Sequence, residues 1–351
     1  MNIYMLGDFQ GDNGPGIANK MLKEGLEKSY QRDISYYYSH GKTIFQRIIE
    51  NIYRSVTCDL IFVGDFTRLH LLAIYLGALT GKKVICRVHG HISFEWNMNH
   101  SENIQSKIKK IQKLENRFYK HANIIVCVSD LSARKFRLDH PSFNGKVYYC
   151  YNALNYKYLL NINKKKLTIT ANQNRVPIIL SVGGGMRRKN NLVLAKSIHK
   201  LEQITGKTYR FIVVGSPYTD KEKICEYSFV EYYDHVSHSN LMKLMNRADL
   251  YIQNSSFDTF GIAAIEALLS GCSLLLSKKM GICEIFNRFE DGDLINNVKD
   301  INEIGKKIEL LLQRGNRDRL LQSLCYESIE VDRMAQWFYK LFVSENKKMK
   351  R

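Results

Sequence analysis

No stretch of the 351-residue sequence approaches the roughly 20 consecutive apolar residues that a membrane-spanning helix needs, which excludes an integral membrane helix. The start, MNIYMLGDF, has no basic segment followed by a long apolar one, so a chain without a secretory leader is expected. Proline is scarce, with 4 residues; beside abundant Lys, Asn, Ile and Tyr this suggests an AT-rich bacterial genome. The eight cysteines (Cys58, Cys86, Cys127, Cys150, Cys225, Cys272, Cys283 and Cys325) form no C-x-x-C pair and no His/Cys cluster at metal-ligand spacing. Several sit in apolar runs such as Val84-Ile85-Cys86, so buried reduced thiols and a cytoplasmic location are expected. Zinc-finger, RNP-type and basic-zipper patterns are also missing, and lysines are spread along the whole chain. The net charge of +18 therefore points to an anionic surface or a phosphorylated substrate, with no nucleic acid as partner.

What is present is enough apolar sequence, 45% of residues, for two cores, and the length suggests two domains of about 150 residues each. Short apolar strands are read at Asn2 to Leu6, Leu60 to Val63, Val84 to Val88, Asn123 to Val128 and Val147 to Tyr151. A second series follows at Ile178 to Val182, Arg210 to Val214, Val230 to Val236, Asp249 to Gln253 and Ser273 to Ser277. Helical patterns run between them, including Ile17 to Lys28, Leu69 to Leu79, Ser237 to Asn246, Ile304 to Leu312 and Asp332 to Phe342. Alternation of this kind specifies parallel α/β domains. Asn161 to Arg175, with Lys164-Lys165-Lys166 and few large apolar residues, reads as the linker.

Three stretches carry candidate chemistry. In NSSFDTFGIAAIEALLSG, Asn254 to Gly271, a polar loop leads into a helix that starts near Phe260-Gly261 and stops at Gly271. Asp258 lies in the loop and Glu266 about one turn inside the helix, so both can face a ligand at the helix N-terminus, where free amides and the helix dipole suit a phosphate. The same spacing also fits a buried helix whose acids cap it and form salt bridges. After the Ile178 to Val182 strand comes GGGMRRKNNL, in which glycines let Arg187, Arg188 and Lys189 bend toward a diphosphate. Gly215-Ser216-Pro217 forms a second glycine turn, and Gly14-Pro15-Gly16 forms a loop that allows close backbone approach before a helix. His89-Gly90-His91 follows a buried strand, the position where open parallel sheets bind ligands.

A carboxylate eight residues before a Glu-Ala pair, with Phe-Gly after the first acid, resembles the signature of retaining nucleotide-sugar glycosyltransferases of the GT-B fold, family 4. The resemblance spans nearly the whole chain and is strongest from Ile178 to Glu284. It implies two Rossmann-like domains facing each other across a cleft: residues 1–160 on the acceptor side, linker 161–175, donor domain 176–330, and a C-terminal helix, 331–351, crossing back. In the family the first acid lies beside the donor sugar and the second holds the ribose; here Asp258 replaces the usual Glu and Glu266 is retained. Lys189 aligns with the lysine that grips the diphosphate, while Gly184 stands at the arginine position, so Arg187 or Arg188 takes that part. The catalytic set implied is His89, Asp258 and Lys189. The donor-binding set implied is Gly14, Gly16, Arg188, Lys189, Gly215, Phe260, Gly261, Ile262 and Glu266. Asp234 and His235 replace the family's glycine beside the nucleobase, so the base cannot be read.

No metal or cofactor is expected beyond the nucleotide diphosphate sugar as co-substrate, a UDP-sugar first. Asp291-Gly292-Asp293 has the form of a metal-binding Asp-x-Asp, but it lies late in the chain and reads as a turn. The expected activity is retaining hexosyl transfer to a glycan or polyprenyl-diphosphate-linked acceptor in surface polysaccharide (capsule or lipopolysaccharide) synthesis. Rival readings are a non-catalytic GT-B partner subunit and a sugar-nucleotide epimerase. The helix Ile104 to Lys120 has an apolar face flanked by Lys107, Lys109, Lys110, Lys113 and Arg117. It reads either as packed on the sheet with a solvated basic side or as resting on anionic lipid, consistent with a cytoplasmic protein peripheral on the inner membrane face.

Overall fold

The computed structural model describes residues 1–11, 13–39, 43–100, 104–156 and 175–349. The chain divides into two compact units, unit 1 with Met1–Phe94, Asn103–Asn155 and Tyr326–Arg351, and unit 2 with Glu95–Glu102 and Tyr156–Cys325. All but Arg175 of the expected linker lies outside the described residues, as do Lys350 and Arg351.

In chain order the first elements are β1 (Asn2–Leu6), α1 (Gly14–Tyr30), β2 (Ser35–Tyr38), α2 (Ile44–Thr57), β3 (Leu60–Val63) and α3 (Arg68–Leu79). They continue with β4 (Lys83–Val88), α4 (Ile92–Asn99), α5 (Gln105–His121), β5 (Ile124–Cys127), α6 (Asp130–Asp139) and β6 (Lys146–Tyr149). The second series is β7 (Ile178–Val182), α7 (Asn191–Thr205), β8 (Arg210–Val214), α8 (Lys221–Cys225), β9 (Val230–Tyr233), α9 (His238–Arg247) and β10 (Leu250–Gln253). It ends with α10 (Ile262–Leu269), β11 (Ser273–Ser277), β12 (Leu294–Ile295), α11 (Ile301–Arg314), α12 (Arg317–Ser323) and α13 (Val331–Met349).

Each unit holds one six-stranded, all-parallel sheet. Unit 2 has the order β12-β11-β10-β7-β8-β9, that of doubly wound nucleotide-binding domains, with the strand order reversing between β7 and β10. Unit 1 has the order β2-β1-β3-β4-β5-β6, so only one strand lies outside β1 and its reversal falls between β1 and β3. Ligands of open α/β sheets bind beyond the carboxyl ends of the strands at such reversals.

Strands covered on both faces read as unbroken apolar runs, and Leu60–Val63, Ile124–Cys127 and Ser273–Ser277 are buried throughout. One face of the unit 1 sheet meets α1 and α13 through Leu22, Leu26, Phe338 and Phe342. The other meets α3, α5 and α6 through Leu71, Ile74, Phe118 and Phe136. Helix α13 extends well past the expected Phe342, and its Phe338 and Phe342 rings sit edge-on to Phe62. Helix α1 starts at Gly14, three residues before expectation, because Asn13 caps it through the Gly16 amide and Pro15 is preorganised for a first turn. The strand expected to reach Val236 stops at Tyr233, and the helix expected over Ile304 to Leu312 starts at Ile301, where Asp300 accepts from the amides of Asn302 and Glu303. All eight cysteines are free, and burial pushes the Cys127 and Cys283 thiols up to about 12.

Arg87 on β4 is 1% exposed, and it meets neutral groups: the Asn152 Oδ1 at 2.9 Å, the Met334 sulfur at 3.3 Å, the Ala18 carbonyl at 3.4 Å and the Phe338 ring at 5.2 Å. Burial lowers its pKa to about 10, so it stays charged and ties α1, the 152 segment and α13 to one point. Replacing it leaves a cavity and unpaired acceptors. We expect Arg87→Ala to lower the urea-unfolding free energy by about 3 kcal/mol.

Candidate functional site

In unit 2 the loops after β7 and β10 leave adjacent strands at the strand-order reversal. Gly183 and Gly184 follow β7 with φ of 132° and 55°, and Gly215 follows β8 with φ of 137°. A Cβ on Gly184 would come within 2.4 Å of the Gly215 carbonyl, so the two glycine turns lie backbone to backbone, closed by Gly183 N–H donating to Val214 O at 2.7 Å. A Cβ on Gly183 would strike the Lys189 side chain at 2.5 Å, which is how the lysine folds back over the turn.

Arg187–Lys189 form a single 3-10 turn, and Asn190 adopts the left-handed conformation with φ of 52°, rare for a residue other than glycine. Hydrogen bonds hold it there: Asn190 Nδ2 donates to Asn254 O at 2.8 Å and to Ser256 Oγ at 2.9 Å. Ser256 N–H donates to Arg188 O at 2.8 Å, so the β7 and β10 loops are stitched together before any charge is considered.

At their junction Lys189 Nζ meets Asp258 Oδ2. Asp258 also accepts from Gln253 Nε2 at 2.7 Å and from Phe260 N–H at 3.3 Å, and it is 8% exposed. Arg188 reaches Glu95 at 2.9 Å and Asp258 at 3.8 Å, while Arg187 is exposed. Of the two arginines weighed from the sequence, Arg188 is therefore the one beside the acid. Burial favours protonated Asp258, but Lys189 and then Arg188 outweigh it and hold the carboxyl below its usual range. Burial and Arg188 draw Lys189 below the usual amine value against the pull of Asp258.

Helix α10 begins immediately beyond. Gly261 caps it with φ of 103°, no side chain caps its first amides, and a Cβ there would lie 2.7 Å from the Met280 methyl. Phe260 is 2% exposed and Ile262 opens the helix. Glu266, one turn in, is 5% exposed and bonded to His238 Nε2 at 2.7 Å. Both acids act on one buried hydroxyl: burial first, then Asp258 and Glu266, raise the Tyr251 pKa far above its usual value. Tyr251 donates to Gln253 Oε1 at 3.0 Å, and Gln253 donates to Asp258, so a continuous hydrogen-bonded path runs from Lys189 to Tyr251.

Gly14, Gly16 and His89 belong to unit 1. The Gly16 amide is taken by Asn13 at 2.9 Å, whereas a Cβ on Gly14 would meet nothing. Asn19 Nδ2 faces the carbonyls of Asp8 and Gly64, both at 3.2 Å, so its Oδ1 turns to His89 and requires His89 Nε2 to donate at 2.9 Å. Burial, reinforced by Arg87, keeps the His89 pKa well below its usual value, so the ring is neutral at pH 7. His91 is buried against Ser132 at 3.1 Å, with its pKa lowered to about 4 by burial. A cavity of about 610 Å³ opens in unit 1 at the β1/β3 reversal, lined by Asp8, Lys23, Tyr38, Arg47, Asp65 and His70 among others.

The Asp291-Gly292-Asp293 turn holds Asp293 inside, bidentate to Arg319 at 2.7 and 2.8 Å, and leaves Asp291 exposed. Tyr251, Gln253, His238 and Glu95 carry no sequence signal. Gln253 ends β10 and Tyr251 precedes it on the same strand, while His238 and Glu95 come from other chain segments.

Residues 163–323 match the model of the glycosyl transferases group 1 family. Among solved structures, sucrose-phosphate synthase from Thermosynechococcus elongatus aligns at TM-score 0.70 and 18% identity, covering 98% of this chain and 99% of that one. The fold is GT-B. Two further GT-B structures are similar. HepE of Anabaena in complex with UDP-glucose aligns at TM-score 0.64 and 14% identity, covering 98% of this chain and 100% of that one. A trehalose-phosphate synthase from Burkholderia xenovorans in complex with glucose-6-phosphate aligns at TM-score 0.61 and 12% identity, covering 92% and 84%. No curated protein matches the sequence.

The ion pair makes a sign-defined prediction for this GT-B chain. The folded pKa of Asp258 lies below its unfolded value of about 3.9, so its stabilisation is present above that value and is lost as pH falls through the folded pKa. Asp258→Asn should cost about 3 kcal/mol at neutral pH, with the gap to wild type closing as pH falls through the lowered folded pKa, read by denaturant unfolding across pH.

Proposed function

We propose that the protein is a retaining glycosyltransferase that moves a hexose or N-acetylhexosamine from a nucleotide diphosphate sugar, UDP-linked first, to a glycan acceptor on a lipid carrier, in bacterial surface polysaccharide synthesis. The observation that carries the reading is the junction of Lys189, Arg188 and the uncapped start of α10 at the strand-order reversal of unit 2. Two cations and a helix N-terminus suit a diphosphate, and their attraction grows as the glycosidic bond breaks and charge gathers on the leaving oxygen.

In the proposed reaction the bond between the anomeric carbon and the β-phosphate oxygen breaks while the acceptor oxygen bonds to the same face. The acceptor proton passes to the leaving phosphate. Lys189 and Arg188 stabilise the diphosphate, Glu266 accepts from the ribose hydroxyls, and Asp258 positions Lys189 and the sugar. The neutral imidazole of His89 is the proposed unit 1 contribution to orienting the sugar. Because protein cations stand at the diphosphate, turnover is expected to persist in EDTA. The unit 1 cavity, with Lys23 set 4.5 Å from the Tyr38 ring centre and Arg47 on its wall, is the proposed acceptor seat.

A thermal-shift panel of nucleotide diphosphate sugars, followed by NMR of the product anomer, tests this. One donor should raise the melting midpoint, and its product should keep the donor's anomeric configuration. Glu266→Gln should weaken that donor by about tenfold with the fold intact. Donor binding without transfer would favour a non-catalytic subunit, and an isomerised sugar nucleotide formed without acceptor would favour an epimerase.

A further inference from the structure

Helix α2 is amphipathic the wrong way round. Ile44, Phe45, Ile49, Ile52, Tyr53 and Val56 are 47% to 71% exposed, whereas its buried positions are Asn51 and Ser55. The polar inner face is committed: Asn51 Oδ1 accepts from Tyr4 Oη at 2.6 Å, and Asn51 Nδ2 donates to Leu69 O at 3.0 Å. The ends are specified as well, since Thr43 and Gln46 form a reciprocal capping box and the Cys58 amide closes on Arg54 O. The helix is thus a fully built element whose large apolar side chains face outward in one stripe, and contiguous patches of this kind mark interaction surfaces.

The chemistry of what covers it is set by its neighbours. Helix α2 packs on α3, and α3 packs on α5, within one layer of unit 1. On α5 the residues Lys109, Lys110, Lys113, Arg117 and Lys120 are exposed. The one acid of α5, Glu115, is buried and accepts from the amides of Ile92 and Ser93 at the start of α4. On α2 itself, Arg54 lies 3.9 Å from the Tyr37 ring centre and 5.4 Å from that of Tyr53, and Arg47 is exposed. An apolar helix beside a cationic one is the complement of an anionic bilayer, with acyl chains for one and headgroups for the other.

We propose that α2 is an interfacial helix that lies in the plane of an anionic membrane, with α5 over the lipid headgroups. Helix α2 also supplies Arg47 and Asn51 to the wall of the unit 1 cavity, so docking sets that cavity beside the lipid surface. The inference extends the acceptor half of the proposed function. Its test uses no turnover, so its failure leaves the donor chemistry standing.

The test is flotation of the full-length protein with vesicles of phosphatidylcholine alone and of phosphatidylcholine with phosphatidylglycerol. Wild type should float with the anionic vesicles only. Phe45→Ser/Ile49→Ser, at exposed positions, should bind about tenfold less while melting like wild type. Lys109→Glu/Lys113→Glu should lose binding in step with added salt. Absence of flotation, or unchanged flotation of the α2 variant, would overturn the proposal. So would sedimentation showing that wild type is a dimer without lipid and the α2 variant a monomer, because a second copy would then cover the helix.

Discussion

The contact between Lys189 and Asp258 organises the candidate site of unit 2. Two opposite charges out of water are stable only where the backbone already brings them together, and here the backbone does so. Glycine turns after β7 and β8 touch, Asn190 is held in the left-handed region by the β10 loop, and Ser256 bonds the Arg188 carbonyl. The acid keeps the lysine charged in a dry site, and the lysine keeps the acid ionised. In the proposed reaction, a charged group prepared in this way meets the diphosphate without further reorganisation, the condition under which electrostatic catalysis is most effective.

Both units place their candidate sites by one topological rule. In unit 2 the loops after β7 and β10 diverge at the reversal of strand order, and the ion pair lies there. In unit 1 the loops after β1 and β3 diverge in the same way, and the cavity with Asp8 and Asp65 lies there. Unit 1 has the other common doubly wound order, with one strand beyond β1, and β2 carries Tyr38 to the cavity wall.

What the sequence made legible follows from where the information sits. Strands such as Ile178–Val182, Arg210–Val214 and Ser273–Ser277 were read to the residue, because burial on both faces demands an unbroken apolar run. Strand β2 was missed: it is a sheet-edge strand, Ser35-Tyr36-Tyr37-Tyr38, with no such run. Helix α2 was missed although its periodicity is strong, since its apolar stripe faces away from the core, and α4 is short and has its start bonded by Glu115, 23 residues away. In the site, Lys189, Asp258 and Glu266 stand in recognisable spacing. Tyr251, Gln253, His238 and Glu95 do not: the first two read only as strand residues, and the last two reach the site from other chain segments.

The central claim is that the charges of Lys189 and Asp258 at the unit 2 reversal exist to receive a diphosphate. The most direct measurement is calorimetric titration of UDP into wild type and into Lys189→Met/Asp258→Asn, which removes both charges at near-constant volume and so spares the fold. The account predicts a double variant that melts close to wild type and binds UDP at least about tenfold more weakly. A folded double variant with wild-type UDP affinity would contradict it.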